Sequence, residues 1–234
     1  MESSELACVK MKSDSVAASA LRLLPRSRWG AESLRTTVVG VVLVCALSGC
    51  ANPVNRHTAV RYSEGAWAAR DAGDWRMARS NLARAIPNAA VGGATQRQMS
   101  VLYYEYGRAS GVICDWKEAE RGLKKALELD QGIDGPVYLA QIELGRMYFD
   151  RKDFVTAEHY FSTVYPIFER IDAQTTDPLG YAVFLDEYAS TLEALSRSDD
   201  ATPLRARADE LRRTFPTGRV RTDRTPYGTQ CHAP

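Results

Sequence analysis

The residues able to do chemistry in this chain are few, and thiols lead among them. Five cysteines and three histidines are spread over 234 residues. His57, His159 and His232 show no metal-ligand spacing, and no His/Cys cluster has a zinc pattern. Cys231-His232 is a neighbouring pair, but a lone pair in a tail does not make a site. There is no Gly-rich phosphate loop and no nucleophile elbow. Carboxylates are common, yet no two stand out as acid and base. No catalytic residue, metal or cofactor is assigned, and an enzyme is not expected. What remains is thiol chemistry at Cys50 and at the pair Cys114 and Cys231.

Cys50 closes the stretch Val41-Val-Leu-Val-Cys-Ala-Leu-Ser-Gly-Cys50. The apolar run from Thr37 to Leu47 is too short to cross a bilayer, which needs about 20 apolar residues. It matches the apolar region of a secretory signal, with Arg22, Arg26, Arg28 and Arg35 as basic flank. A buried strand ending in a chance cysteine is one alternative. A mitochondrial presequence is another, and Glu2, Glu5, Asp14 and Glu32 fit it poorly. The run Leu47-Ser48-Gly49-Cys50 resembles a bacterial lipobox, where a diacylglycerol is joined to the cysteine sulfur and the preceding peptide is cut away. The resemblance implies a signal peptide with upstream extension over residues 1–49, lipidation at Cys50, and a lipidated tether over 50–56. Asn52-Pro53-Val54-Asn55 reads as turn-favouring within that tether. Ala51, in place of Asp, implies the outer membrane, with the domain facing the periplasm. The stretch before the apolar run is long for a leader, so a translation start further downstream is expected.

Composition is that of an ordinary soluble domain: 45% hydrophobic, 25% charged, formal net charge +1. A general nucleic-acid binder would show a basic face, so none is expected. In an exported protein Cys114 and Cys231 are an even pair that a disulfide would join. Such a bridge would close a loop worth about 4–5 kcal/mol in the chain-entropy model. The other reading is one small buried thiol and one loose tail thiol.

The elements that carry these residues repeat. Gly73-Asp-Trp-Arg-Met-Ala78, Cys114-Asp-Trp-Lys-Glu-Ala119 and Lys152-Asp-Phe-Val-Thr-Ala157 each read Asp-aromatic-x-x-Ala. An apolar residue follows four on (Leu82, Leu123, Phe161), and a smaller one three later (Ala85, Ala126, Val164). That spacing is one face of a helix. Gly65-Ala66, Tyr106-Gly107 and Leu144-Gly145 precede the three at equivalent places. A weaker copy runs from Ala182 to about Phe215, with Ala189, Ala201 and Ala208 at the small positions and Arg205 where a large apolar residue is expected.

These features resemble the tetratricopeptide repeat, a helix-turn-helix of about 34 residues. The resemblance implies an all-α fold: a right-handed α-α superhelix of about four helix pairs over residues 57–215, then an extended tail over 216–234. It also implies that Ala66, Gly107, Gly145 and Ala189 pack against Ala78, Ala119, Ala157 and Ala201. Asp74, Asp115 and Asp153 should cap the second helices, with Asp115-x-x-Glu118 as a capping box. Pro87 and Pro166 should end them. Loops are expected over Asn88–Gln96, Gly132–Pro136 and Asp172–Gly180.

In that family the first helices line a groove that binds peptides or partner proteins. By position the groove would comprise Trp67 and Arg70, then Tyr104 and Arg108, then Ile142, Arg146 and Phe149. Aromatic and arginine side chains are common interface anchors. The plainer alternative is that several of them pack between pairs. The Lys/Asn clamp that grips a terminal carboxylate is absent. The tail, with Arg219, Arg221 and Arg224, would lie across the array pinned by Cys231 or trail in solvent. The expected role is a lipid-anchored periplasmic scaffold that binds envelope proteins in outer-membrane or pilus assembly. Alternatives are an accessory subunit of an envelope enzyme acting on peptidoglycan or polysaccharide, and a cytosolic adapter.

Overall fold

The start of the first helix shows how closely local chemistry sets the boundaries. In the computed structural model, which describes residues 52–217 and 224–231, Asn52 is an N-cap. Its side-chain oxygen accepts from the Val54 N–H at 3.0 Å and from the Asn55 N–H. Pro53 takes the first helical position, where a missing N–H costs nothing. The segment Asn52–Asn55, expected as tether, is therefore the beginning of helix α1 (Pro53–Asp71). Asn followed by Pro is both a turn signal and a cap signal, and here it caps. Cys50 and the apolar run lie outside the described residues, as do Arg219, Arg221 and His232.

Helices α2 (Trp75–Val91), α3 (Gln96–Val112), α4 (Trp116–Gln131), α5 (Val137–Asp150) and α6 (Phe154–Arg170) follow. The one-turn α7 (Ala173–Thr176), then α8 (Pro178–Ala194) and α9 (Ser198–Thr214), complete the described residues. They pack as sequential antiparallel pairs, α1/α2, α3/α4, α5/α6 and α8/α9, each pair lying against the next. No described helix is long and apolar enough to cross a membrane.

Each tight turn within a pair is built alike. A residue with positive φ comes first: Gly73 (77°), Cys114 (69°), Lys152 (62°) and Ser196 (61°). In the first three pairs an aspartate follows and caps the second helix, Asp74 to Met77 N–H, Asp115 to Glu118 N–H and Asp153 to Thr156 N–H. Only half of the expected box at Asp115 forms. The Glu118 carboxylate turns away to accept from the Tyr106 hydroxyl at 2.8 Å and from Arg121. The reciprocal box is instead at Thr95 and Gln98, opening α3.

Pro87 and Pro166 do not end their helices. They lie inside α2 and α6, which run on to Val91 and Arg170. Proline forfeits one backbone bond, and the added turn of α2 buries Ala89. The connections shrink accordingly. Asn88–Val91 is helical, leaving 92–95 as the loop, and α7 fills part of 172–177.

Close helix crossing depends on small residues. Ala66, Ala78, Ala119, Ala157, Ala189 and Ala201 are all buried. At Gly107 an added Cβ would lie 2.8 Å from the backbone N of Leu123, and at Gly145 it would lie 2.6 Å from the Phe161 ring. In the last pair Arg205 points outward to Asp186, Ser190 and Glu193. Leu204 and Leu211 supply the apolar contact there. Aromatic rings fill the junction of α6 and α8, with Phe168 and Phe184 centroids 4.8 Å apart, edge to face.

Candidate protein-binding face

The first helices of successive pairs present a ladder of alternating charge. Arg70 on α1 reaches Glu105 on α3 at 3.5 Å. Glu105 shares a turn with Arg108, also at 3.5 Å, and Arg108 reaches Glu143 on α5 at 3.5 Å. Glu143 holds Arg146 at 2.9 Å, and Arg146 reaches Glu187 on α8 at 2.8 Å. The motif Glu-x-x-Arg at 105/108 and again at 143/146 places opposite charges one helical turn apart, and each arginine then bridges to the next pair. Aromatic rings back the outer end: the Arg70 guanidinium lies 5.5 Å from the Trp67 ring, and that of Arg108 5.7 Å from the Tyr104 ring.

The tail completes the ladder. Arg224 makes a two-pronged pair with Asp150 at 2.8 and 2.9 Å, and it reaches the second oxygen of Glu187 at 2.6 Å. Tyr227 is 5% exposed. Its hydroxyl donates to Glu143 at 2.6 Å and its N–H to Asp150 at 2.7 Å. Beyond it the Gly228 and Gln230 N–H groups donate to the Gly111 and Val112 carbonyls at the end of α3. Those carbonyls belong to the last turn of a helix, where intrahelical partners run out. The Gln230 amide reaches Gly73, and Arg76 reaches back to the Gln230 carbonyl. Cys114 and Cys231 are joined by a disulfide.

The electrostatics of the two glutamates differ. Burial pushes Glu143 up. Arg108, Arg146 and the hydrogen bonds from Tyr227 and Arg146 outweigh it, and the carboxyl sits below the usual range. For Glu105 burial wins over Arg108 and Arg70, and the carboxyl is raised. Burial and the Glu143 carboxylate raise the Tyr227 phenol well above its ordinary value, so it remains a hydrogen-bond donor.

Among the residues that the repeat pattern assigns to the groove, Trp67, Arg70, Tyr104 and Arg108 lie on this face. Trp67 also lines a cavity of about 600 Å³ between α1, the 92–95 connection and the first half of α3, with Arg56, Arg97 and Gln98 around it. Three residues of α5 are placed otherwise. Arg146 is 1% exposed, because α8 closes over it. Ile142 is buried in the apolar cluster shared with α6 and α8, and Phe149 packs on Phe154 and Phe161 within its own pair. Glu105, Glu143, Asp150, Glu187 and Tyr227 escaped the sequence reading. Glu-x-x-Arg recurring at equivalent places was the available signal. Among the described residues no cluster of His, Cys, Asp or Glu has the makings of a metal site.

No protein-family model matches the chain, and no curated protein matches it in sequence. Solved structures do. BtubC (BKLC) from P. vanneervenii superposes with a TM-score of 0.63 at 18% identity, over 71% of this chain and 68% of that one. The nearly identical TPR-like repeats assigned to a kinesin light chain of Podosopora anserina superpose with a TM-score of 0.55 at 16% identity, over 76% and 84%. At this identity the likeness shows fold and not role. The chain has the fold of a TPR-like helical-repeat protein.

Proposed function

We propose that the chain is a lipid-anchored periplasmic scaffold whose pairs stack as a right-handed superhelix and hold a partner protein on the first-helix face. The observation that carries the binding role is the tail. A tail segment already lies on that face, held by an arginine, a tyrosine and backbone hydrogen bonds, and it is not extended throughout as expected but turns over 227–230, with Gly228 at φ 77°. A surface that accepts one such segment has the chemistry to accept another. The lipobox-like Leu47-Ser48-Gly49-Cys50 supports anchoring through Cys50 in the outer membrane, and the disulfide is in keeping with an oxidising compartment. Anchoring would raise the effective concentration toward envelope proteins, including those assembling the outer membrane or pili.

Crosslinking in intact envelopes, followed by pulldown, tests the partner. Trp67→Ala with Arg70→Ala should lose a specific crosslinked protein while helicity is kept. An unchanged set of partners would overturn the binding face. Cys50→Ser should leave the precursor uncleaved and release no lipidated form. Membrane fractionation identical to that of the parent would overturn the anchor.

A further inference from the structure

The segment from Arg224 to Cys231 fits the end of the array as a ligand fits a site. Beneath it Glu143, Asp150 and Glu187 lie with Arg108 and Arg146, and Arg224 adds a further cation on Asp150 and Glu187. Gly111 is shaped to the tyrosine: a Cβ there would lie 2.1 Å from Tyr227 Cδ1 and 2.5 Å from Cε1. The ring joins an apolar cluster of Ala119, Leu123, Leu144 and Met147. The latch is also particular to this pair. Among the positive-φ turn positions the first pair uses Gly73, where the left-handed backbone carries no steric penalty. The second places Cys114 there at φ 69°, the strained choice that brings a thiol to the tail. Both half-cystines are only partly buried.

We propose that residues 224–231 are a covalently latched internal ligand, and that their seat between α3, α5 and α8 recognises a partner-protein segment carrying arginine three residues before a tyrosine that opens a turn. This rests on the reading of the first-helix face as a protein-binding surface. Opening requires a protein dithiol of the thiol–disulfide oxidoreductase class. The dithiol passes two electrons and two protons to the bridge and becomes a disulfide, and Cys114 and Cys231 become thiols. The freed tail is then an ordinary intramolecular competitor, and a partner segment of the same chemistry exchanges with it.

The test uses the full chain and a fluorescein-labelled peptide of residues 224–230, read by anisotropy. Oxidised wild-type chain should not bind the peptide. The chain with Arg224→Ala, Tyr227→Ala and Cys231→Ser, whose own tail is disabled, should bind it. Peptides carrying Arg224→Ala or Tyr227→Phe should bind at least tenfold more weakly, and adding Gly111→Ala to the chain should abolish binding. A second readout needs no variant: dithiothreitol should speed amide exchange at Gly228 and Gln230 in the wild-type chain while the interior of α3 stays protected. The proposal is overturned by loss of helicity in the tail-disabled chain, which would make the tail a structural strap. It is equally overturned by equal binding of all peptides, by equal binding to oxidised chain, or by unchanged exchange on reduction. Peptide binding with unaltered envelope partners would keep the seat and reject the scaffold role. The reverse outcome would keep the scaffold and reject the seat.

Discussion

The outer and inner ends of the charge ladder use the same motif with opposite results. At the outer end Glu105 has two guanidiniums at 3.5 Å, and its carboxyl is raised. At the inner end Glu143 is more deeply buried yet is lowered, because Arg108, Arg146 and the hydrogen bonds from Tyr227 and Arg146 converge on it. Burial penalises charge at both places, and the added hydrogen bonds on Glu143 go with the opposite outcome. The outer end lies beside a cavity that Trp67 lines. The inner end is closed by the chain itself.

Cutting the latch should have the largest effect on this contrast. Cys114 and Cys231 are separated by 117 residues, so Cys231→Ser should lower stability by about 4–5 kcal/mol in the chain-entropy model, read by denaturant unfolding. Next comes Glu143→Gln. It removes the carboxylate that Arg108 and Arg146 share, leaving them Glu105 and Glu187, and should destabilise by about 1–3 kcal/mol.

Acid should separate the two carboxyls. The lowered carboxyl of Glu143 contributes stability above its unfolded range, and that contribution is lost as pH falls through its folded value. The gap between wild type and Glu143→Gln should therefore narrow in acid, and a constant gap from pH 7 to pH 3 would refute the assignment. The raised carboxyl of Glu105 works the other way: its contribution is present below the usual value and is lost as pH rises. Glu105→Gln should accordingly be neutral or stabilising by at most about 1 kcal/mol at pH 7. It should have no such advantage near pH 4.

A packing contrast separates two helix glycines. A Cβ at Gly107 meets backbone, at 2.8 Å from Leu123 N, whereas at Gly65 it meets the amide end of Asn81 at 3.1 Å. Gly65→Ala should gain about 0.5–1 kcal/mol from helix propensity. Gly107→Ala should lose about 1–3 kcal/mol by overpacking. Thermal unfolding of both variants, with gains or losses of one sign, would remove the distinction.

The pairs were legible because their signals are local. Asp-aromatic-x-x-Ala places an N-cap and a small residue within one turn, and both act through the nearest backbone. Asn52-Pro53 and Pro87 were misread for the same reason. A local signal for turn or break holds only where packing does not favour another turn, and the buried Ala89 does favour it. Helical register alone puts Trp67, Arg70, Tyr104 and Arg108 on one face. Arg146 was hidden by α8, and Phe149 by its own pair, and no spacing along α5 reports what a later helix covers.

By itself the sequence determined the helical pairs, their caps, their small-residue crossings and the thiols available for a bridge, since each depends on residues a few positions apart. Only the tertiary structure decided which charges meet and where the tail lies. Arg224 finds Asp150 and Glu187, and Tyr227 finds Glu143, across separations set by how the pairs stack. A buried charge takes whichever partner the packing brings within about 3 Å, and chain order does not specify that neighbour.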